Sequence, residues 1–362
     1  MSVSYGGDSI TFGDGSIVSS GSQGFKNKII NGAMMIDQRF AGSANTPADS
    51  AYTIDRWQFW SSQSGKLSIQ QSTTAPNGFS NSMLVTSLSS YSVASTDEIG
   101  FTTKLEGYNI VDLAWGTADA KTVSLSFWVR SSLTGTFGGS IGNSGLSRVY
   151  VFSYTINQAN IWEYKTITIT GETSGTWEKT NALGLSLNFQ FGAGSSSTRT
   201  QPAGSWYSGS TSLRGASGQV NLAATSGATW YMTGLQLEKG TTASTFEFRS
   251  YQKELILCYR YFLRYGQGTI VGSGASDGGT NLRVVNAITP VSMRAAPSYA
   301  WNNVYTYSGN LSNYGFTGVG STVLGPSSVK FDATTSSSGP TNAMLTVICD
   351  GSSSYFTMSA EL

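Results

Sequence analysis

The sequence contains no histidine in 362 residues. That removes the commonest general base, the usual partner of a serine or cysteine nucleophile and the commonest metal ligand. Charge is also scarce: 11% of residues are charged, the formal net charge is +1, and no block of Lys or Arg occurs. An electrostatic footprint for nucleic acid is therefore missing. The 20 acidic residues are scattered singly, and Asp97 and Glu98, though adjacent, point to opposite faces if they lie on a strand. No acid pair for cutting glycosidic bonds is formed, and no long β-helix repeat is present, so the chain reads as non-enzymatic. The two cysteines, Cys258 and Cys349, have neither zinc-site spacing nor disulfide-scaffold density and read as buried small hydrophobes. The start, MSVSYGGDSITFGDG, lacks a basic segment followed by an apolar one, and no run approaches the roughly 20 apolar residues that cross a bilayer. The expectation is a protein made in a cytoplasm without an export signal or membrane insertion. No cofactor or metal is called for, since Asp277-Gly278-Gly279 is too short to gather the oxygen ligands of a hard cation.

What the chain does have is apolar alternation at period two, bounded by Gly, Ser, Asn and Asp, the mark of half-buried antiparallel strands. KTVSLSFWVRS (Lys121 to Ser131), LGLSLNFQFG (Leu183 to Gly192) and ATWYMTGLQLE (Ala228 to Glu238) are clear examples. Without intervening helices these strands imply a mainly β protein built on an antiparallel β-sandwich. Four regions follow: residues 1–27 as an attachment segment with a hairpin turning at Gly13-Asp14-Gly15, 28–250 as a long β domain, 251–265 as a connecting amphipathic helix, and 266–362 as a second, smaller C-terminal β-sandwich. The polar loop Gly192 to Gly218 carries Trp206 and Tyr207 and has the length of a functional or mobile loop.

Charged and aromatic residues crowd into LEKGTTASTFEFRSYQKELILCYRYF, Leu237 to Phe262. Tyr251, Leu255, Cys258, Tyr259 and Phe262 fall on one helical face, Ser250 suits an N-cap, and Gly266 and Gly268 offer a stop. The expectation is a helix of about 12 residues whose apolar stripe needs a covering surface. Leu237 to Gly240, Phe246 to Tyr251, Glu254-Leu255 and Cys258 to Phe262 resemble a junction of bacteriophage tail-fibre proteins. Asn31-Gly32, Tyr52 to Trp57, Asp112 to Gly139 and Val291 to Pro297 resemble the same group, and Ile10 to Val18 resembles a tail-fibre N-terminal hairpin. The resemblance implies a virion structural protein, usually a homotrimer. Its middle domain would be a jelly roll similar to carbohydrate-binding modules, its N-terminus would join other tail or capsid proteins, and its distal parts would contact host surface polysaccharide. A capsid decoration protein or tail adaptor with a purely structural role is the alternative.

The alternation also names a candidate binding face. Inward Val123, Leu125, Phe127 and Val129 send Trp128 and Arg130 outward; inward Leu185, Leu187, Phe189 and Phe191 send Asn188 and Gln190 outward; inward Leu235 and Leu237 leave Trp230 outward. With Trp206 and Tyr207 reaching in from the long loop, this set suits sugar: aromatic faces cover apolar C–H faces, and planar amide and guanidinium groups bond hydroxyls. The same face is equally suited to a subunit interface, where Trp, Tyr and Arg are enriched, or to loops packing over tryptophans. Trp301, Tyr305 and Tyr307 form a second candidate in the C-terminal region.

Overall fold

A computed structural model describes Phe25 to Leu362 except residues 210–211, 277–280, 288, 309–312, 326–327, 336–343 and 351–352, together with the backbone of three short strands near the N-terminus. Most strands between 281–287 and 313–345 are likewise described by backbone alone. The three N-terminal strands, Ser4–Gly6, Ser9–Thr11 and Ile17–Ser19, pair antiparallel in that order, with Ile10 opposite Val18. The Gly13-Asp14-Gly15 turn and the Asp277-Gly278-Gly279 turn lie outside the described residues.

The chain divides into two units, Met1–Arg249 and Ser250–Leu362. The first is an antiparallel sandwich of jelly-roll type. Its six-stranded sheet runs, from edge to edge, Ser205–Ser208, Arg148–Ile156, Gly135–Gly142, Leu183–Ala193, Glu98–Glu106 and Trp57–Ser61. Its five-stranded sheet runs Glu163–Ile169, Val123–Ser131, Thr229–Lys239, Ser82–Ser87 and Leu67–Ser72. The chain crosses repeatedly between the two sheets, so strands adjacent in sequence commonly lie in different sheets.

The predicted inward residues are inward. Val123, Leu125, Phe127, Val129, Leu185, Leu187, Phe189 and Phe191 are all fully buried in one cluster between the sheets. Aromatic rings fill its centre at edge-to-face geometry: Phe127 lies 5.4 Å from Phe189 and 5.1 Å from Tyr154, and Phe191 lies 4.8 Å from Trp230. Burying each such ring contributes roughly 1.5–3 kcal/mol, and the offset geometry adds to it.

The part of the charged and aromatic stretch up to Arg249 is a set of ties within this first unit. Arg249 donates to the carbonyls of Ile29 and Asn27 and to the Glu247 carboxylate. Glu247 in turn accepts from the Asn27 N–H, and its own N–H donates to the Gln236 side chain. The YTIDRW run is similar: Asp55 is fully buried and accepts from the backbone and side-chain nitrogens of Gln38, both at 2.7 Å. A buried carboxylate held by two N–H donors is stable only where those donors are fixed, which is what the surrounding core provides.

In the second unit the helix spans Tyr251–Tyr259, capped by the Ser250 side chain accepting from the Lys253 N–H. It is shorter than expected. Phe262 does not extend its stripe but opens the strand Phe262–Tyr265, which pairs with the last strand, Tyr355–Ser359; the aromatic, β-prone Tyr261 and Phe262 are buried there, and the Ala360 N–H donates to the Tyr261 carbonyl. Ser298–Asn302 completes that three-stranded sheet, and six further strands between Ile270 and Cys349 form a sheet that closes on itself, a feature the strand pattern does not specify. Cys349, Met358, Phe356 and Val347 share its core, and both cysteines are free and buried.

Candidate functional site

The seven proposed site residues do not meet. Trp128 and Arg130 face outward, but from the five-stranded sheet, whereas Asn188 and Gln190 face outward from the six-stranded sheet on the opposite side of the sandwich. Alternation along a strand says which residues leave the core; it does not say into which sheet the strand is placed.

Trp230 is inside. It is fully buried, and its indole N–H donates to the Tyr154 hydroxyl at 3.2 Å. The reason is a β-bulge: between Thr233 and Gln236 the strand carries one residue more than its partner does between Trp128 and Ser126. The bulge reverses the parity, so Trp230 and Met232 point inward on one side of it and Leu235 and Leu237 on the other. Gly234 sits in the bulge at φ +64°, and the Phe79 ring occupies the space a Cβ would need. A glycine inside a strand pattern is the signal that marks such a bulge.

Trp206 and Tyr207 do not reach toward a ligand either. Trp206 packs edge-on against Trp115 and Trp177, with its indole N–H donating to the Thr170 carbonyl at 2.9 Å. The Tyr207 hydroxyl donates to the Pro202 carbonyl, and its ring packs against a small cluster of Leu146, Val149, Val151, Leu213 and Ala216. That cluster fastens the long loop over part of the outer face of the six-stranded sheet. Gln190 lies beneath this cover, fully buried, with neither end of its amide partnered by protein. In the second unit, Trp301 packs against the core, and the Tyr307 hydroxyl donates to Asp350, which pushes that phenol up to about 12.

The part of the six-stranded sheet that the loop leaves uncovered is a groove of ≈ 320 Å³. Its floor belongs to a cross-strand row: Gln58 pairs with Thr102, Thr102 with Asn188, and Asn188 with Ser140, which is fully buried at the end of the row and outside the lining. Amide and hydroxyl alternate along it at about 4.8 Å per strand, roughly 14 Å in all. Asn188 donates to the Ser140 hydroxyl at 3.2 Å, and the Gln58 amide donates to the Ser50 carbonyl at 2.9 Å, so the row is held in fixed rotamers. Lys104 and Ser186 extend the floor, and Ser144, Gly145 and Leu146 form a rim.

Trp60 also lines the groove, lying on the sheet because residue 100 is glycine: a Cβ there would meet the Trp60 ring at 2.7 Å. The Arg214 guanidinium covers the ring at 4.5 Å from its centroid and is held by Glu98 at 2.6 Å. Of these residues only Asn188 was singled out in advance. Gln58 and Trp60 were available from the alternation of YTIDRWQFW, with Trp57 and Phe59 inward; Arg214 comes from a loop and carries no such signal.

Neighbouring Asp97 does not contribute chemistry to the groove. Burial pushes its carboxyl up, but hydrogen bonds from the Tyr91 hydroxyl, the Ala94 N–H, Ser62 and Gln63 outweigh that and hold it below the usual range. Asp97 closes the turn before the strand that begins at Glu98; its carboxylate goes into this network and that of Glu98 onto Arg214.

A different surface forms on the five-stranded sheet. Trp128, Tyr164, Phe79, Phe246 and Phe248 line a pocket of ≈ 420 Å³ with Asn77, Ser126 and Ser244 at its edges. The three phenylalanines lie within 5.2 Å of one another, centroid to centroid, and Phe248 is 59% exposed.

No protein-family model and no curated protein matches the chain. Among solved structures it is similar to the enzymatically active domain of tailspike protein 4 of bacteriophage CBA120 (11% identity, 60% of this chain, 22% of that chain, TM-score 0.34). It is also similar to a putative sugar binding protein from Bacteroides thetaiotaomicron (11% identity, 59% and 100%, TM-score 0.36) and to a family 11 carbohydrate-binding module from Clostridium thermocellum (15% identity, 56% and 99%, TM-score 0.28). The chain thus spans about a fifth of the tailspike chain. Likenesses this loose leave the sandwich resting on the strand order and register of this chain itself.

Proposed function

We propose that the groove on the six-stranded sheet binds a polysaccharide chain, and that the protein adheres to host surface glycans as a component of a bacteriophage virion, a trimeric tail fibre or spike. The observation that carries the binding reading is the fixed row Gln58, Thr102 and Asn188, the last held by the buried Ser140, beside Trp60. Planar amides and hydroxyls held at strand spacing match the regularly spaced hydroxyls of a sugar chain, and an open groove accepts a chain along its length. The virion, trimer and host-attachment parts rest on the tail-fibre resemblance of the sequence.

Gly145→Trp is the direct test, because a Cβ at Gly145 meets nothing within 4 Å and the new ring would fill the groove without disturbing the core. On a glycan panel, the variant is expected to lose at least about tenfold in affinity, roughly 1.4 kcal/mol, at unchanged melting temperature. Undiminished binding would place the glycan elsewhere, and new reducing ends on incubation with host polysaccharide would overturn the non-enzymatic reading. The second reading, a decoration or adaptor protein with a purely structural role, is favoured by the exposed aromatic pocket around Phe248, a surface suited to assembly. Light scattering of the full chain separates the two when repeated with Phe248→Ala: loss of the oligomer with glycan binding retained would give that face to assembly.

A further inference from the structure

Resting on the groove reading, we infer that the polysaccharide is acidic, carrying carboxylate or sulfate on its sugars, and that Arg214 and Lys104 set this preference. The charged side chains that line the groove are both cations, Arg214 and Lys104. Behind Arg214, Arg199 and Arg214 converge on the carboxylate of Glu98, at 3.5 and 2.6 Å, which turns that carboxylate away from the groove lining. Glu106 shares the outward side of its strand with Glu98 and Lys104, and it is buried and not part of the lining. Asp49, near the rim, is turned onto the Ser61 N–H and the Ser50 hydroxyl. Arg56, buried beside the floor, donates to the Lys104 carbonyl. Among the described residues the lining thus presents positive charge and no carboxylate, in a chain whose net charge is only +1.

Arg214 is built for this role. Its guanidinium is positioned from two directions, by the Trp60 face beneath it and by Glu98 beside it, yet about a fifth of the side chain stays open to the groove. A guanidinium fork presents several coplanar N–H donors, so one edge can remain on Glu98 while another meets a carboxylate or sulfate. Lys104, across the floor, meets a second charge further along the chain without demanding a fixed geometry.

The test uses the full chain and a panel that pairs uronate oligosaccharides with their carboxyl-reduced counterparts and sulfated oligosaccharides with their desulfated counterparts. The expected result is binding to charged members that falls at least about tenfold on removing the charge, falls several-fold from about 0.05 to about 0.3 M salt, and identifies the anion by the series that responds. Arg214→Gln and Lys104→Gln are each expected to weaken binding to the charged member about three- to tenfold and to weaken binding to the neutral counterpart less, with Arg214→Lys recovering part of the loss. Because Arg214→Gln also leaves Glu98 with Arg199 alone, Lys104→Gln serves as the variant that keeps the Arg214–Glu98 ion pair intact. Equal binding to charged and neutral members, blocked by Gly145→Trp, would overturn the acidic preference and leave the groove reading standing. Binding to no member of the panel would remove both.

Discussion

The two outer faces of the sandwich start from the same alternation and end as different surfaces. On the six-stranded sheet, a long loop folds back and is pinned by Leu213 and Ala216, burying Gln190 and leaving a polar groove with two cations. On the five-stranded sheet, the bulge at Gly234 and the segment carrying Phe246 and Phe248 raise an aromatic pocket that stays partly exposed. What differs is the cover and one bulged strand. A face roofed by a loop can keep polar groups in fixed positions, whereas a face left with exposed rings favours contact with another apolar surface.

Trp230→Ala should have the largest effect, because Trp230 stands between the sheets and supports both faces. A loss of about 3–5 kcal/mol is expected in denaturant unfolding. Gly234→Ala separates the faces. Its φ of +64° and the Phe79 contact should cost about 1–3 kcal/mol and disturb the aromatic pocket, with binding at the groove preserved. If glycan binding fell in parallel, the two faces would not be independent.

Acid should act next. On the five-stranded sheet, burial pushes the Glu163 carboxyl up, but Lys165 and donors from Gln158 and Asn157 outweigh that and hold it at about 2. A carboxylate whose pKa is depressed by folding stabilises the fold above its unfolded value near 4.5 and loses that contribution as the pH falls toward 2. The melting-temperature difference between wild type and Glu163→Gln should therefore be full at neutral pH and shrink across that window. Asp97, lowered from 3.8 beside the other sheet, should show the same sign with Asp97→Asn over a window starting lower. A difference that grew on acidification would reverse the assignment. The smallest effect belongs to Gln190→Leu, which removes an unpartnered buried amide and should leave stability within about 1 kcal/mol of wild type or raise it.

Much of this molecule was legible in the residues themselves. The inward sets in KTVSLSFWVRS and LGLSLNFQFG, the Ser250 cap and the buried cysteines follow from period, side-chain size and capping chemistry, all of which act within a few residues. The binding face was legible only in part. Asn188 was placed outward and lines the groove, but its expected companions are scattered: Trp128 and Arg130 on the other sheet, Trp230 in the core, Trp206 against Trp115 and Trp177, and Tyr207 in the loop's own cluster. Within the dense stretch Leu237 to Phe262, FEFR went to ties such as Arg249 to Ile29 and Asn27, contacts more than 200 residues apart in the chain.

By itself, then, the sequence determined the antiparallel strands, the side of each strand that faces the core, and the absence of any imidazole chemistry. Only the tertiary structure decided which sheet each strand joined, where one extra residue reversed the alternation, and which outer face the long loop covered. The physical reason is range. Side-chain alternation and capping are settled by neighbours along the chain, while sheet assignment, bulge accommodation and loop cover are settled by packing among residues that meet only when the two sheets close on a common core.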